Sequence, residues 1–197
     1  MSSESGKRGW RARLLAARAE LSPDALDAAA ALVARHVLAR LGGTPRIAAY
    51  VPVGREPGSL RMLDALLDEG TEVLLPVVVT DGLDWAPYRG PAGLVSGPLG
   101  TRAPSGPRWG PGALASADTV LLPALAVDHG GVRLGRGGGY YDRALTAVPG
   151  GRPLVALLHD GELVARLPAD PWDRPVTTVD TPAIGWTNLP IVEHDSG

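Results

Sequence analysis

Cysteine and phenylalanine are absent from this sequence of 197 residues, and Lys7 is its one lysine. The lack of cysteine excludes a disulfide scaffold, a cysteine nucleophile and a metal held by thiolates. The formal net charge is −2, so there is no general basic field that would attract nucleic acid. No apolar run approaches the length of a membrane span, and we expect a mature N-terminus because the first residues lack the apolar region of a signal peptide. These features favour a cytoplasmic protein without a nucleic-acid or membrane partner. We expect a monomer that acts on a small-molecule substrate.

Glycine, proline and arginine are abundant instead, with 26 glycines and 19 prolines. Together with the single lysine, this indicates a coding bias that enriches glycine and arginine throughout the chain. A cluster of these two residue types is therefore weaker evidence of function here than in an average protein.

Hydrophobic periodicity and capping residues predict the helices. The residues from about 8 to 20 have helical composition, and a second helix starts after Ser22, which can cap it, with Pro23 at the first helical position. Gly42 and Gly43 end this helix. The apolar residues that share one face of it are Leu26, Ala30, Val33, Val37 and Leu41.

Strands alternate with helices along the rest of the chain. We expect a buried strand over residues 46–53, a short helix capped by Ser59, and a further strand over residues 72–79, which together predict a parallel sheet. Further strands are expected within 118–128, 153–160 and 175–182. Residues 86–112 are rich in proline and glycine, and we interpret them as a long ordered loop with one short strand near 83–88, or as a linker. The chain is expected to form one α/β domain, residues 1–197, with a basic N-terminal helix over 1–20 and a tail over 190–197.

A glycine-rich segment, VDHGGVRLGRGGGYYDRALTAV at residues 127–148, lies between a predicted strand and a predicted helix. Open α/β sheets bind ligands where strands end, and bare backbone next to a helix start suits an anion. Arg133 and Arg136 supply charged donors for phosphate oxygens, while Tyr140 and Tyr141 offer flat faces for a heterocycle. Asp142 is a hard oxygen ligand of the kind that Mg²⁺ takes beside substrate phosphates. Together these residues predict a nucleoside triphosphate site.

Two standard phosphate motifs do not fit this segment. A dinucleotide fingerprint that starts at Gly135 needs glycine at position 140, which is Tyr140, and the Gly-Lys-Ser/Thr step of a Walker loop is absent. Two alternatives stay open here: an ordinary turn in a glycine-rich chain, and an RNA-binding Arg-Gly segment. RNA-binding segments of that kind lie in polar, disordered surroundings, whereas this one lies between a strand and a helix.

Further candidate residues lie outside the glycine segment. Lys7 and Arg11 are four residues apart and share a face of a helix, either as ligands of an anion or as an ordinary solvated face. Lys7, a basic residue near the N-terminus, is not expected in the core. Glu56 follows a strand and Asp173 is a loop carboxylate with no local partner, although both positions also suit exposed acids. His159, at the end of a strand, is more typical of a structural role than of catalysis.

The sequence resembles the 5-formyltetrahydrofolate cyclo-ligase family, also called methenyltetrahydrofolate synthetases, over nearly its whole length. The strongest match is LLPALAVDHGGVRLGRGGGYYDRAL, residues 121–145. The family has a strand with a proline there, then an Asp, a Gly-x-Arg-Leu-Gly step and Gly-x-Gly-Tyr/Phe-Tyr-Asp. KRGWR near the N-terminus, AAYVPVGREPGSLRML, and LVALLHDGELVARLPADPWDRPVTTVDTP also resemble family segments.

This resemblance implies an α/β fold with a central, mostly parallel sheet flanked by helices, and an enzyme that uses ATP and Mg²⁺. The implied reaction closes 5-formyltetrahydrofolate to 5,10-methenyltetrahydrofolate and releases ADP and phosphate. The residues implied to bind ATP are Lys7, Arg11, Arg133, Leu134, Gly135, Arg136, Gly137, Gly138, Gly139, Tyr140 and Tyr141. Those implied to bind the folate are Val51, Glu56, Arg136, Gly137, Gly138, Gly139 and Tyr140. Arg136 and Tyr140 are the implied catalytic residues, and Asp142 and Asp173 are the implied magnesium ligands.

The sequence departs from the family pattern at three places. Its acidic loop reads GREPGS at residues 54–59, where the family has Asp-Glu-Ile/Leu-x-Thr, so only Glu56 remains. Ala103 precedes Pro104 where the family has Glu or Gln, and Gly138 replaces a lysine that some members carry. The first two departures concern folate recognition rather than ATP binding. Two other functions therefore stay open: a different ATP- or phosphate-dependent small-molecule enzyme on the same fold, and a non-catalytic nucleotide- or RNA-binding relative.

Overall fold

The computed structural model of the protein describes residues 3–191, with side chains for 6–98 and 100–191. The elements are α1 (Ser3–Ala19), α2 (Pro23–Leu41), β1 (Arg46–Ala48), α3 (Leu60–Asp68), β2 (Glu72–Val79), β3 (Gly82–Pro87), β4 (Leu94–Ser96), β5 (Arg102–Pro104), β6 (Thr119–Pro123), β7 (Ala126–Asp128), β8 (Arg133–Leu134), α4 (Tyr140–Leu145), β9 (Leu154–Leu157), β10 (Leu163–Val164), β11 (Thr178–Thr181) and β12 (Gly185–Asn188). Short 3₁₀ turns cover Pro91–Gly93, Pro98–Gly100 and Pro111–Ser116. The predicted tail lies outside the described residues from position 192 onward.

A seven-stranded sheet in the order β12-β11-β9-β6-β1-β2-β3 forms the centre of the molecule. The five inner strands pair in parallel, from β11 through β9, β6 and β1 to β2. The two edge strands β3 and β12 pair in antiparallel with their neighbours. The predicted α/β fold with a mostly parallel sheet is therefore confirmed, and β12 is an edge strand that the sequence patterns did not indicate.

Helices cover both faces of this sheet. Residues of α2 and α3, among them Val33, Val37 and Leu63, pack on one face. On the other face α4 and the 111–116 turn contribute Leu145 and Leu114. The remaining helix, α1, packs Leu14 on a small three-stranded sheet in the order β10-β7-β8. None of the helices in residues 3–191 combines the length and the apolar character that a bilayer-spanning segment needs.

The predicted helix caps are present. The Ser22 side chain accepts a hydrogen bond from the Ala25 amide at 3.2 Å and Pro23 is the first residue of α2. Ser59 accepts from the Met62 amide at 3.1 Å at the start of α3. These bonds satisfy amides that a helix start leaves without a partner.

Three predicted elements have different bounds. The strand expected within 118–128 is two strands, because β6 ends at Pro123 and the chain leaves the main sheet before β7 pairs with β8 and β10. The strand expected over 46–53 is only Arg46–Ala48. The loop expected over 86–112 is ordered by β3, which pairs with β2, and by the β4–β5 hairpin. Tyr88 and the preceding Trp85 are buried, and with these paired strands the segment is not a linker.

Candidate active site

Helix α1 connects two loops that are far apart in sequence. The Lys7 ammonium lies 2.7 Å from Asp170 Oδ2 and 2.8 Å from Asp173 Oδ2. One turn further along, Arg11 Nε donates to the Gly135 carbonyl at 3.0 Å. The shared helix face expected for Lys7 and Arg11 therefore joins the 170–173 loop to the glycine segment.

The surroundings of Lys7 differ from the expectation. Its side chain is only 9% exposed, so it is a buried ion-pairing residue and not a solvated one. Burial acts to lower the Lys7 pKa, but the hydrogen bonds with Asp170 and Asp173 outweigh it and raise the pKa above its ordinary value. Asp173 likewise has close partners, because it also accepts from the Asp170 amide at 2.8 Å. Asp170 itself was missed, although its spacing of three from Asp173 was a usable signal.

The glycine segment divides into a hairpin turn and a separate loop. Asp128 Oδ1 accepts from the amides of Gly130 and Val132, both at 2.9 Å, and this closes the turn between β7 and β8. The loop that leads into α4 is residues 135–139. Gly137 has a φ of +102° and lies against the Arg11 guanidinium, so a side chain there would be strained and crowded. The first group of glycines thus belongs to a closed hairpin turn, and the second group forms a separate loop before α4.

The buried side chain of Arg133 stabilises the end of this loop. It is buried on β8, and its guanidinium NH2 donates to Asp142 Oδ1 at 2.6 Å. Asp142 is in the first turn of α4, so this ion pair fixes the helix that follows the loop. Leu134 is buried in the core beneath α1. The side chains of Arg133 and Leu134 therefore face the protein interior, whereas Arg136 in the loop and Arg143 in α4 are exposed.

The two tyrosines after the loop are engaged in packing. Both pack against the core on the α4 face of the sheet. The Arg143 guanidinium lies 5.3 Å from the Tyr140 ring centre, and Arg133 lies 5.8 Å from that of Tyr141. Burial, with the nearby Glu56 carboxylate, raises the pKa of Tyr141, so its hydroxyl stays protonated at neutral pH. Their faces are less open to a heterocycle than the sequence indicated.

Glu56 brings the acidic loop and the glycine loop together. Its Oε2 accepts from the Val53 amide at 2.9 Å, which fixes the carboxylate at the end of the β1 loop. Its Oε1 accepts from Arg136 Nε at 3.0 Å across 80 residues of sequence. Glu56 is 10% exposed and Arg136 is 52% exposed, so the pair lies at the edge of the protein surface. Val51 is buried in the core at the base of the same loop.

A buried ion-pair network that the sequence did not reveal supports the Glu56 loop. Arg18 of α1 contacts Glu162 through two nitrogens, at 2.6 and 2.8 Å. Glu162 also accepts from the His159 amide at 2.8 Å, and the His159 ring lies 3.0 Å from the Arg55 carbonyl. Arg55 in turn donates to the Arg18 and Leu21 carbonyls at the end of α1. The structural role expected for His159 agrees with these contacts.

A cleft of about 270 Å³ opens beside Glu56. One wall is the first half of α2, with apolar residues such as Leu26 and Val33, and the opposite wall is the 52–59 loop. His159 also lines this cleft. An apolar cleft with a few fixed polar groups at its edge is typical of a small-molecule site.

The cations and acids predicted for the site are paired with one another. Each of three cationic residues that the resemblance implied contacts an implied acidic residue: Lys7 with Asp173, Arg133 with Asp142, and Arg136 with Glu56. Each of these side-chain charges is therefore balanced by an opposite charge from another part of the chain.

The model of the 5-formyltetrahydrofolate cyclo-ligase family matches residues 3–182, most of the chain. The chain belongs to this family. The family resemblance expected from the glycine segment is therefore confirmed, and with it the enzyme class, a ligase of folate metabolism.

Individual cyclo-ligases agree with this placement. The 5-formyltetrahydrofolate cyclo-ligase of Mycolicibacterium smegmatis is 46% identical over 146 residues, which are 71% of this chain and 74% of that protein. The solved structure of Aquifex aeolicus 5,10-methenyltetrahydrofolate synthetase has a TM-score of 0.74 and 29% identity, and covers 96% of this chain and 97% of its own. The synthetase from Mycoplasma pneumoniae, at a TM-score of 0.70 and 22% identity over 88% of this chain and 96% of its own, shares the fold.

Proposed function

We propose that this protein catalyses the ATP-dependent closure of 5-formyltetrahydrofolate to 5,10-methenyltetrahydrofolate, with release of ADP and phosphate. Membership of the cyclo-ligase family and the 46% identity to the Mycolicibacterium enzyme support the proposal. The observation that carries it is the 3.0 Å contact between Arg136 of the glycine loop and Glu56 of the acidic loop. A reaction that moves a phosphoryl group from ATP to a folate needs the residues for both substrates side by side.

The ATP side of the site consists of α1 and the glycine loop. Lys7 and Arg11 supply positive charge from one face of α1, and residues 135–139 supply exposed backbone. Three carbonyls of the loop accept hydrogen bonds from the protein. Gly135 accepts from the Arg11 side chain, Gly138 from the Arg143 side chain, and Gly139 from the Arg143 amide. These bonds commit carbonyl oxygens to the protein, which suits a loop whose ligand is an anion. Arg133, Leu134 and Tyr141 then act from beneath the loop by holding its ends.

The carboxylates of Asp142 and Asp173 fit a magnesium ion in their chemistry, since Mg²⁺ binds one or two carboxylates together with phosphate oxygens and water. Asp142 is partly exposed next to the loop, and Asp173 lies against Lys7. In the described part of the chain, three or more His, Asp or Glu residues nowhere gather as a metal cage. That arrangement fits an ion that arrives with the nucleotide. When bound, the ion would neutralise charge on the phosphate oxygens.

The chemistry needs charge neutralisation and alignment more than it needs a general base. The formyl oxygen attacks the γ-phosphorus and ADP leaves, which turns a poor electrophile into one with a phosphate leaving group. The neighbouring folate amine then forms the new C–N bond and loses its proton, and phosphate departs with the former formyl oxygen. Arg136 is exposed at the junction of the two loops and would contact the transferred group. Tyr140, directly after the loop, is proposed to contact the same reacting groups.

Glu56 is proposed to orient the pterin ring. Its carboxylate is held by the Val53 amide and can accept further hydrogen bonds from ring N–H donors. The cleft beside it has an apolar wall that suits a flat heterocycle. Since Arg136 donates to Oε1, the pterin has to share or replace this contact.

An absorbance assay for methenyltetrahydrofolate with purified protein, 5-formyltetrahydrofolate, MgCl₂ and ATP tests the proposal. We expect product with ATP and none without it, a large loss in Glu56→Gln, and little change in Glu69→Gln, an exposed acid at the end of α3. Equal activity in the two variants would remove Glu56 from the folate site. No product from the wild-type protein at any ATP concentration would refute the proposed function.

We further infer a cytoplasmic monomer that acts on small molecules alone. The net charge of −2 supports a small-molecule substrate over a nucleic-acid partner, because non-specific nucleic-acid binding depends on basic charge. Size-exclusion chromatography with light scattering tests the monomer, and an RNA-retention assay at low salt tests the absence of a nucleic-acid partner. A dimer mass or salt-sensitive retention would refute the respective inference.

A further inference from the structure

Trp172 has an unusual position for a large aromatic residue. It is 73% exposed, the most of the five tryptophans, while the next, Trp109, is 41% exposed. A single exposed hydrophobic residue is common on protein surfaces, so the exposure alone indicates nothing. The surroundings of Trp172 are what suggest a function.

The loop that carries Trp172 is held in one shape. The Asp173 amide donates to the Asp170 carbonyl at 3.0 Å, and the Asp170 amide donates to the Asp173 carboxylate at 2.8 Å. Lys7 bridges both carboxylates and ties the turn to α1. Trp172 is therefore presented to solvent from a turn that is closed by three groups of hydrogen bonds.

This turn lies next to the proposed nucleotide site. Lys7 and Arg11 are one turn apart on the same face of α1, a rise of about 6 Å. Lys7 holds the turn that carries Trp172, and Arg11 holds the glycine loop at Gly135. The turn that carries Trp172 and the glycine loop are thus both fixed to one face of α1.

The other aromatic rings that the structure describes near the proposed site are partly covered. Tyr140 and Tyr141 follow the glycine loop, but both rings pack against the core and both have an arginine guanidinium within 6 Å of the ring centre. The Arg13 guanidinium lies 3.7 Å from the ring centre of Trp10, the one aromatic residue of α1. Trp172 is the most exposed aromatic residue in the described part of the chain, and it belongs to the turn that Lys7 holds.

We propose that Trp172 is the platform on which the nucleobase of ATP stacks. This inference rests on the proposed function, since it assigns the base end of the ATP that Lys7, Arg11 and the glycine loop would bind by its phosphates. Stacking on an indole accepts any purine face and needs no hydrogen-bond readout. The site should therefore take other purine nucleoside triphosphates nearly as well as ATP.

Calorimetric titration of the full-length protein with MgATP and, separately, with magnesium tripolyphosphate tests the assignment. Tripolyphosphate carries the phosphates without the base, so it reports on the phosphate surface alone. Trp172→Leu should weaken ATP binding by about 5- to 150-fold, the usual range for loss of one base–aromatic stack, and leave tripolyphosphate binding within about twofold. Trp172→Phe should keep most of the ATP affinity, and Trp109→Leu is the matched control that should change neither ligand.

The outcomes separate the two proposals. Unchanged ATP affinity in Trp172→Leu would overturn the stacking role while the proposed function stands. Equal weakening of ATP and tripolyphosphate would also overturn it, because the change would then act through the Lys7 turn. A wild-type protein that binds neither ligand would refute the proposed function, and the stacking role with it.

Discussion

Replacement of Lys7 should lower the stability of the protein much more than the sequence suggested. Because Lys7 is a basic residue near the N-terminus, the sequence suggested that its replacement would leave the stability almost unaltered. In the structure its ammonium lies between two carboxylates, at 2.7 and 2.8 Å, and its side chain is 9% exposed. Lys7→Met therefore leaves Asp170 and Asp173 facing each other without the positive charge between them.

The magnitude follows from these contacts. A hydrogen bond to a charged group contributes about 1.5–3 kcal/mol, and Lys7 makes two of them. Because both carboxylates keep some contact with water, the lower end applies, and the expected loss is about 3 kcal/mol, within the range for breaking a buried ion pair. For a chain of this size that corresponds to a fall in Tm of roughly 6–12 °C.

Urea unfolding and calorimetry at pH 7 measure this loss. Folding raises the Lys7 pKa above its ordinary 10.5, so its contribution is complete at neutral pH and is lost only as the pH rises beyond that value. Arg8→Met, an exposed cation in the same helix, is the matched control and should stay within about 0.5 kcal/mol of wild type. Lys7→Met combined with Asp173→Asn should recover part of the stability, because the amide does not repel Asp170.

The same variants separate stability from ATP binding. Lys7→Arg retains the charge but replaces a compact ammonium with a planar fork, so a partial loss of ATP affinity is expected, with a larger loss in Lys7→Met. A change in Tm of less than about 1 °C in Lys7→Met would refute the stability argument. Unchanged ATP titrations of a folded Lys7→Met protein would refute its role at the phosphates.

Three further predictions concern other charged groups. Arg136→Ala should lower kcat/KM for ATP by about one to two decades through loss of a charge-assisted phosphate contact, and an unaltered ATP dependence in steady-state kinetics would contradict this. Asp142→Asn should abolish turnover at ordinary MgCl₂ concentrations, and near-wild-type turnover would exclude the metal role. The change should also lower Tm, because it leaves the buried Arg133 without its 2.6 Å ion pair. Burial raises the Asp180 pKa to about 6, against the opposing effect of His36, so this group makes the free energy of unfolding fall as the pH rises from about 4 to 6. Asp180→Asn should flatten that part of the urea-unfolding pH profile, and an unchanged slope would contradict the assignment.

Local signals in the sequence predicted the elements that depend on neighbouring residues. Ser22 and Ser59 cap their helices as expected, and the strand over 72–79 has the predicted bounds. The alternation of strands and helices was sufficient for the parallel sheet. The change of sheet after β6 could not be predicted, because nothing local to Pro123 shows that the next strand pairs in a different sheet.

The contacts that build the site connect residues far apart in sequence. Lys7 and Asp173 are 166 residues apart, and Arg136 and Glu56 are 80 apart. The resemblance to a family supplied these residues but not their partners, so the burial of Lys7 and Arg133 came only from the structure. The Arg18–Glu162 pair had no signal at all, since an isolated arginine in a helix and an isolated glutamate in a turn are ordinary surface residues.

The central claim is that one site couples the use of ATP to closure of the folate. Measurement of ADP and methenyltetrahydrofolate in the same reaction, with purified protein and limiting 5-formyltetrahydrofolate, tests it most directly. One ADP should be released for each methenyltetrahydrofolate formed, and ADP release should stop when the folate is consumed. ADP release that continues without product, or product that forms without ADP, would contradict it.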